Sequence, residues 1–197
     1  MSTLNDMVPN KDGRSGGVGR SWDGVLCAVL AMALIAGSAQ ARAVAGVRLP
    51  EAISLEGKEL TLNHIELKRE FFFEIYVWGL YLDQKPASLK EAVEAKGPKQ
   101  LQLHFRRGIK KDQLASAFRR FLNNSSQLRS PEMRRNSEQL VQSLVGVNKG
   151  DCLLITYEPE KGLSVSGEGS RGAVIPGKAF ADALFAAWLS ENPIYKE

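Results

Sequence analysis

The run Phe71-Phe72-Phe73-Glu74-Ile75-Tyr76-Val77-Trp78-Gly79-Leu80-Tyr81-Leu82 constrains this chain more than any other stretch. Aromatic and β-branched residues at this density fit a pleated surface that is buried on at least one face. Successive side chains of a strand point to opposite faces. One register reads Phe71, Phe73, Ile75, Val77, Gly79, Tyr81; the other reads Phe72, Glu74, Tyr76, Trp78, Leu80, Leu82, with Glu74 as its one interruption. A strand apolar on both faces belongs inside a sheet, with helices from later in the chain packed against it.

The surrounding segments supply such a sheet. Val47–Leu55 reads as a short strand, Glu56-Gly57-Lys58 as a turn, and Leu60–Arg69 as a second strand. The apolar alternation of that second strand slips near Asn63-His64, as a β-bulge would make it do. Ser88 can cap a short helix that runs to Ala95. Lys99–Arg106 alternates, with Leu101, Leu103 and Phe105 on one face. Lys110–Asn124 is amphipathic, with Leu114, Phe118, Phe121 and Leu122 at helical spacing. Ser130-Pro131 opens another helix, which reaches Leu144. Cys152–Tyr157, Leu163–Gly167 and Gly172–Ile175 are strands, and Lys178–Ser190 is a last helix that carries Trp188. Hairpins dominate the strand connections. The fold class is therefore α+β, with a mostly antiparallel sheet.

The amino-terminal part reads differently. Val25–Ala36 is apolar but short for a permanent membrane span, and Ala39-Gln40-Ala41 follows it. That order is the pattern of a secretory signal peptide. Residues 1–41 are read as the leader and 42–197 as the folded domain. Ala41-Arg42-Ala43 offers a second cut after Ala43, and Met7 a second start. The alternative is an uncleaved membrane anchor. Membrane contact is expected only through this segment. At about 150 residues the remaining domain can bury enough surface to fold without staples.

Composition and motifs exclude several classes of function. The formal net charge is +4 and is spread along the chain. No basic block is interleaved with aromatics, so no nucleic-acid partner is expected. Cys152 remains alone once Cys27 leaves with the leader, so the domain holds no intrachain disulfide and the thiol reads as a small buried hydrophobe. The two histidines, His64 and His104, and one cysteine do not make a metal site. There is no nucleophile elbow, C-x-x-C, phosphate loop or dinucleotide glycine pattern.

Three features remain. Lys68 and Arg69 stand at a strand end beside the aromatic run and can hold an anionic head group or be no more than a solvated strand end. Tyr76 and Trp78 share a face of the central strand and can line a pocket or pack as core. Trp188 lies on the apolar stripe of the last helix and reads as core. His64 or His104, as an imidazole near an apolar cleft, can be an axial haem ligand or simply a surface or hydrogen-bonded residue.

Val77-Trp78-Gly79-Leu80-Tyr81-Leu82-Asp83 resembles the strand of the chalcone isomerase family that carries a Gly-hydrophobic-Tyr-Leu-acidic segment. Leu62-Asn63 before it is similar to the family's bacterial branch. So are Gly150-Asp151, Tyr157-Glu158-Pro159, Gly162, Ile175-Pro176-Gly177-Lys178, Phe180, Ala183-Leu184-Phe185, Trp188-Leu189 and Pro193. The likeness runs from Val47 to Pro193. It implies an open-faced β-sandwich: a large antiparallel sheet, a helical layer, and a ligand cleft between them. The family includes plant enzymes that cyclise chalcones, plastid fatty-acid-binding proteins, bacterial members without established isomerase activity, and relatives reported to bind haem.

The resemblance also marks departures. Lys68 stands where the plant enzymes carry an Arg, and Tyr76 where they carry a Thr. Their Tyr and Asn donors have no counterpart in Lys110–Asn124, and their last-helix Ser/Thr falls at Ala187. Cyclisation needs positioned donors on a developing enolate, and a flexible Lys does not replace a rigid Arg fork. The chain is therefore expected to be an exported, periplasmic, non-catalytic member that binds a small amphipathic ligand such as a fatty acid. Lys68 or Arg69 would take the head, and Phe72, Tyr76 and Trp78 would line the cleft. Alternatives are an intramolecular lyase or isomerase on the same cleft, and a haem-binding or envelope assembly protein.

Overall fold

The structure, a computed structural model, describes residues 40–169 and 172–194. Of the expected leader, residues 1–39, with the apolar run Val25–Ala36, lie outside the described residues; Gln40 and Ala41 and the second expected cut site lie within them. Two antiparallel strands, β1 (Ala41–Val44) and β2 (Val47–Pro50), form a small hairpin sheet. The main sheet has seven strands: β3 (Ala52–Leu55), β4 (Lys58–Glu70), β5 (Phe73–Leu82), β6 (Lys99–Phe105), β7 (Cys152–Glu158), β8 (Gly162–Gly167) and β9 (Ala173–Ile175). Each pairs antiparallel with its neighbours in sequence, in the order β3-β4-β5-β6-β7-β8-β9. The helices are α1 (Leu89–Glu94), α2 (Lys111–Asn124), α3 (Pro131–Ser143) and α4 (Lys178–Glu191).

Local chemistry explains most of the boundaries. Ala45-Gly46 and Glu56-Gly57 take positive φ at both turn positions, which closes tight hairpins whose twist matches the strands. The hydroxyls of Ser88 and Ser130 accept the N–H groups of Glu91 and Met133, both at 3.2 Å, and cap α1 and α3. The register of β4 on β5 shifts between Leu62 and His64, which is the expected bulge.

Two boundaries differ from expectation. The single strand read over Val47–Leu55 is two, in different sheets, with a bend at Glu51 just after Pro50. Proline has no N–H to donate and tends to end a ladder. The central strand begins at Phe73, because Phe71 and Phe72 form the turn that joins β4 to β5.

The two faces of the sheet are unlike. On one face Trp78, Leu80 and Leu82 of β5 join Leu101, Leu103 and Phe105 of β6 and Leu153, Ile155 and Tyr157 of β7. The helices cover this face. α4 buries Phe180, Leu184, Phe185, Trp188 and Leu189 together with four alanines, so it is apolar nearly all round and lies within the core rather than on it. On the other face Leu49 of the β1–β2 hairpin meets Leu60, Leu62 and Tyr81. A Cβ on Gly79 would come within 2.4 Å of Leu49 Cδ1, so the bare glycine is what lets the hairpin lie down on the sheet.

Farther along that second face runs a polar ladder. Gln100 Nε2 donates to Thr156 Oγ1 at 2.9 Å, and Gln102 Nε2 to Gln100 Oε1 at 2.8 Å. His104 lies next to Gln102 and 3.4 Å from Cys152 Sγ. Helices therefore cover one face only, and the sandwich is open on the other.

Candidate ligand-binding site

The helical cover does not extend over β4. The β4 positions that share the helix side with Leu80, Trp78 and Tyr76 are their partners His64, Glu66 and Lys68, all polar. Between this uncovered strand and the helices lies a cavity of about 130 Å³. Its floor is Ile75 and Tyr76 of β5 with Leu103 and Phe105 of β6. Leu114, Ala117, Phe118 and Phe121 of α2 form one wall, and Trp188 of α4 the other; Ile109, Lys68, Glu191 and Asn192 complete the lining.

Aromatic rings fix the shape. Trp188 meets Phe121 edge-on at 5.6 Å, Trp78 edge-on at 5.8 Å, and Tyr76 at 6.1 Å between centroids. Tyr76 meets Phe105 edge-on at 5.9 Å. Such edge-to-face pairs hold one another in place beyond what area burial alone supplies.

The polar groups at the cavity are few. Lys68 Nζ donates to Asn192 Oδ1 at 3.0 Å. Asn192 is buried at the end of α4, and its Nδ2 donates to the Trp188 carbonyl at 2.9 Å. That bond turns the amide oxygen towards Lys68. The Tyr76 hydroxyl makes no hydrogen bond to a described residue, and burial, with Glu191, Glu66 and Glu70 adding to it, pushes its pKa well above the ordinary phenol value. It stays protonated and is a free donor. The indole N–H groups of Trp78 and Trp188 are buried without partners. Buried donors are nearly always satisfied, so two neighbouring exceptions are a polar cost carried inside an apolar core.

The five residues expected to form the site divide. Lys68 and Tyr76 line the cavity. Trp78 is fully buried behind Trp188 and does not line it. Arg69 lies at the strand end, 3.5 Å from Glu74, outside the lining. Phe72 is 97% exposed in the β4–β5 turn, so it cannot line a cleft; the turn carries it past the end of the sheet. Sequence reasoning missed the α2 wall as a wall, and missed Glu191 and Asn192 altogether. Asn192-Pro193 read only as a helix stop.

Neither histidine lines the cavity, so the site offers haem no imidazole ligand. His64 packs on Trp78, with ring centroids 4.8 Å apart, and His104 lies on the open face. Burial lowers the pKa of both imidazoles. Burial also pushes the Cys152 thiol up to about 11, the opposite of an activated nucleophile. Among the described residues no group of three His, Cys, Asp or Glu is placed to hold a metal.

An antiparallel sheet with one helical face, and a small apolar cavity rimmed by a lysine, define an open-faced sandwich of the ligand-cleft type. The chain belongs to the chalcone isomerase-like family, whose model matches residues 41–197. Among solved structures the fold is similar to the crystal structure of a fatty-acid binding protein of Arabidopsis thaliana. The TM-score is 0.61 and the identity 15%, over 78% of this chain and 91% of that one. No protein with a curated description matches.

Proposed function

We propose that this protein binds one small amphipathic ligand, with its apolar body in the cavity and its polar head at the Lys68–Asn192 pair. The observation that carries the reading is the apolar chamber whose polar donors, Lys68 and the Tyr76 hydroxyl, have spare capacity. A carboxylate such as that of a fatty acid fits Lys68 by charge-assisted hydrogen bonding. Glu191 on the same rim opposes it and sets an upper limit on that preference. The relative's fatty-acid binding supports the ligand class through the shared fold.

Size narrows the ligand. A dry cavity of about 150 Å³ takes up benzene, whereas drug-sized pockets begin near 300 Å³. At about 130 Å³ the cavity admits a ring or a short stretch of acyl chain. A long chain enters only if α2 swings away from Trp188. Binding without chemistry suits a lining whose one hydroxyl is that of Tyr76. We further propose export to the periplasm, supported by Val25–Ala36 and the small-residue cut site after it. Among the described residues no helix is long and apolar enough to cross a membrane.

The test is native mass spectrometry of the protein purified from its own cells. A retained or titratable fatty acid, lost from Lys68→Ala, supports the binding reading, and a mass beginning at Arg42 supports export. A protein that neither carries nor takes up ligand overturns the binding reading.

A further inference from the structure

The β4–β5 turn is the least economical part of the fold. Phe71 and Phe72 are 89% and 97% exposed, and Phe73 is 58% exposed. Val174 is the one other large hydrophobic side chain so exposed among the described residues. Phe71 also holds a φ of +54°, a conformation that turns normally give to Gly or Asn. An aromatic in this position gains no packing and carries backbone strain. Strain retained without a structural return points to function.

The charges around the tip are arranged in a collar. Lys68 and Arg69 precede it and Glu70 closes it; Glu74 on β5 is shared by Arg69 at 3.5 Å and Arg106 at 3.4 Å. Arg107 lies over the Phe73 ring, 4.9 Å from its centroid. Four basic side chains thus stand against two acidic ones, and Lys110 and Lys111, with Asp112, follow on the same connection. A narrow aromatic tip backed at once by cations matches the interfacial layer of a bilayer. Apolar groups sink a few ångströms there, and basic groups meet phosphates. A protein partner would ask for a broad apolar patch, and none surrounds the tip.

We propose that the β4–β5 turn docks the folded domain on an anionic bilayer, with Phe71 and Phe72 inserted below the head groups and Arg69, Arg106 and Arg107 at the phosphates. This contact belongs to the domain itself and outlasts removal of the leader, the one segment for which the sequence suggested a membrane. Phe72 at the tip is three residues from Ile75 on the cavity floor, about 10 Å at about 3.3 Å per residue. A docked molecule therefore holds the cavity beside the lipid surface.

The experiment is vesicle co-sedimentation of the full chain, without added cavity ligand, comparing wild type with Phe71→Asn/Phe72→Ser. The leader contributes equally to both, so the difference reads the tip. Asn suits the left-handed position and both sites are exposed, so the variant is expected to melt no lower than wild type. On phosphatidylglycerol–phosphatidylethanolamine vesicles the variant should partition about tenfold or more weakly, from the apolar area of two rings. Binding of both proteins should weaken on phosphatidylcholine and in high salt, where the arginines they share contribute less. A Phe72→Trp reporter should shift its emission to the blue on the anionic vesicles. Equal partitioning of wild type and variant overturns the proposal, as does an unshifted reporter. Self-association lost in the variant with no change on vesicles overturns it in favour of a second copy of this chain. Each of these outcomes leaves the cavity reading intact.

Discussion

Replacing Trp188 by Phe tests the unpartnered indole directly. Trp188 is 4% exposed and touches the rings of Tyr76, Trp78 and Phe121, so truncation to Ala should cost about 3–5 kcal/mol. Phe retains one ring of the two. Losing the other removes about three buried heavy atoms, a cost of about 2–3 kcal/mol in transfer and cavity energy. The same change removes a buried N–H that has no acceptor, which returns about 1–3 kcal/mol. The two nearly cancel. Ligand-stripped Trp188→Phe should lie within about 1 kcal/mol of wild type in urea unfolding, with an unchanged m-value. A loss near 3 kcal/mol in the stripped protein would show that the N–H already has a partner, and the cancellation would fail.

Two further outcomes follow from buried ionisable groups. Lys99 is fully buried; it donates to the Val93 carbonyl and pairs with Asp182 at 3.3 Å, and burial lowers its pKa. Lys178 also pairs with Asp182, so Lys99→Met leaves no orphaned carboxylate. Its stability in urea should range from unchanged to about 2 kcal/mol higher, and a loss above about 3 kcal/mol would refute this. The second outcome concerns pH. His64 and His104 have folded pKa values below the ordinary 6.5, so under that pH the unfolded chain binds more protons than the folded one. The histidine contribution should be flat above about pH 6.5 and fall as pH drops towards the folded values. His104→Gln should reduce that slope in thermal melts, and an identical slope would exclude His104 as a contributor.

The parts of the fold that could be read from sequence were those where one physical rule acts alone. Leu101, Leu103 and Phe105 alternate, and so β6 and its face were legible. Ser88 and Ser130-Pro131 marked helix starts because capping is a local bond. The slip at Asn63-His64 announced its bulge. Phe71 and Phe72 misled because strand propensity does not distinguish a buried aromatic from one held out at a turn, and a positive φ on Phe is not written in its neighbours. Pro50 did signal the break between β2 and β3, but the apolar residues on either side bridged it. At the site, Lys68 and Tyr76 were legible as a cation and an aromatic near a strand end. Asn192 was not, because its partner Lys68 lies on the first long strand and only the docking of α4 brings the two together. Trp188 was read as core, which it is; that it also walls a cavity depends on where α2 stops.

The order of the sheet also dictates how the chain can assemble. Within the large sheet every strand pairs with its sequence neighbour, so β3 to β5 can zip as successive hairpins, β6 joins them across the short α1, and β7 to β9 zip likewise. Joining β6 to β7 is different, because residues 106–151, with α2 and α3, must first be looped out. Local pairings form early, and the long closure carries the larger entropic cost and sets the rate. The cavity takes its floor from the first meander, one wall from the looped-out segment, and the other from α4, the final helix. It therefore comes into being only when the last piece docks. A bound ligand then stabilises only the finished chain and none of its folding intermediates.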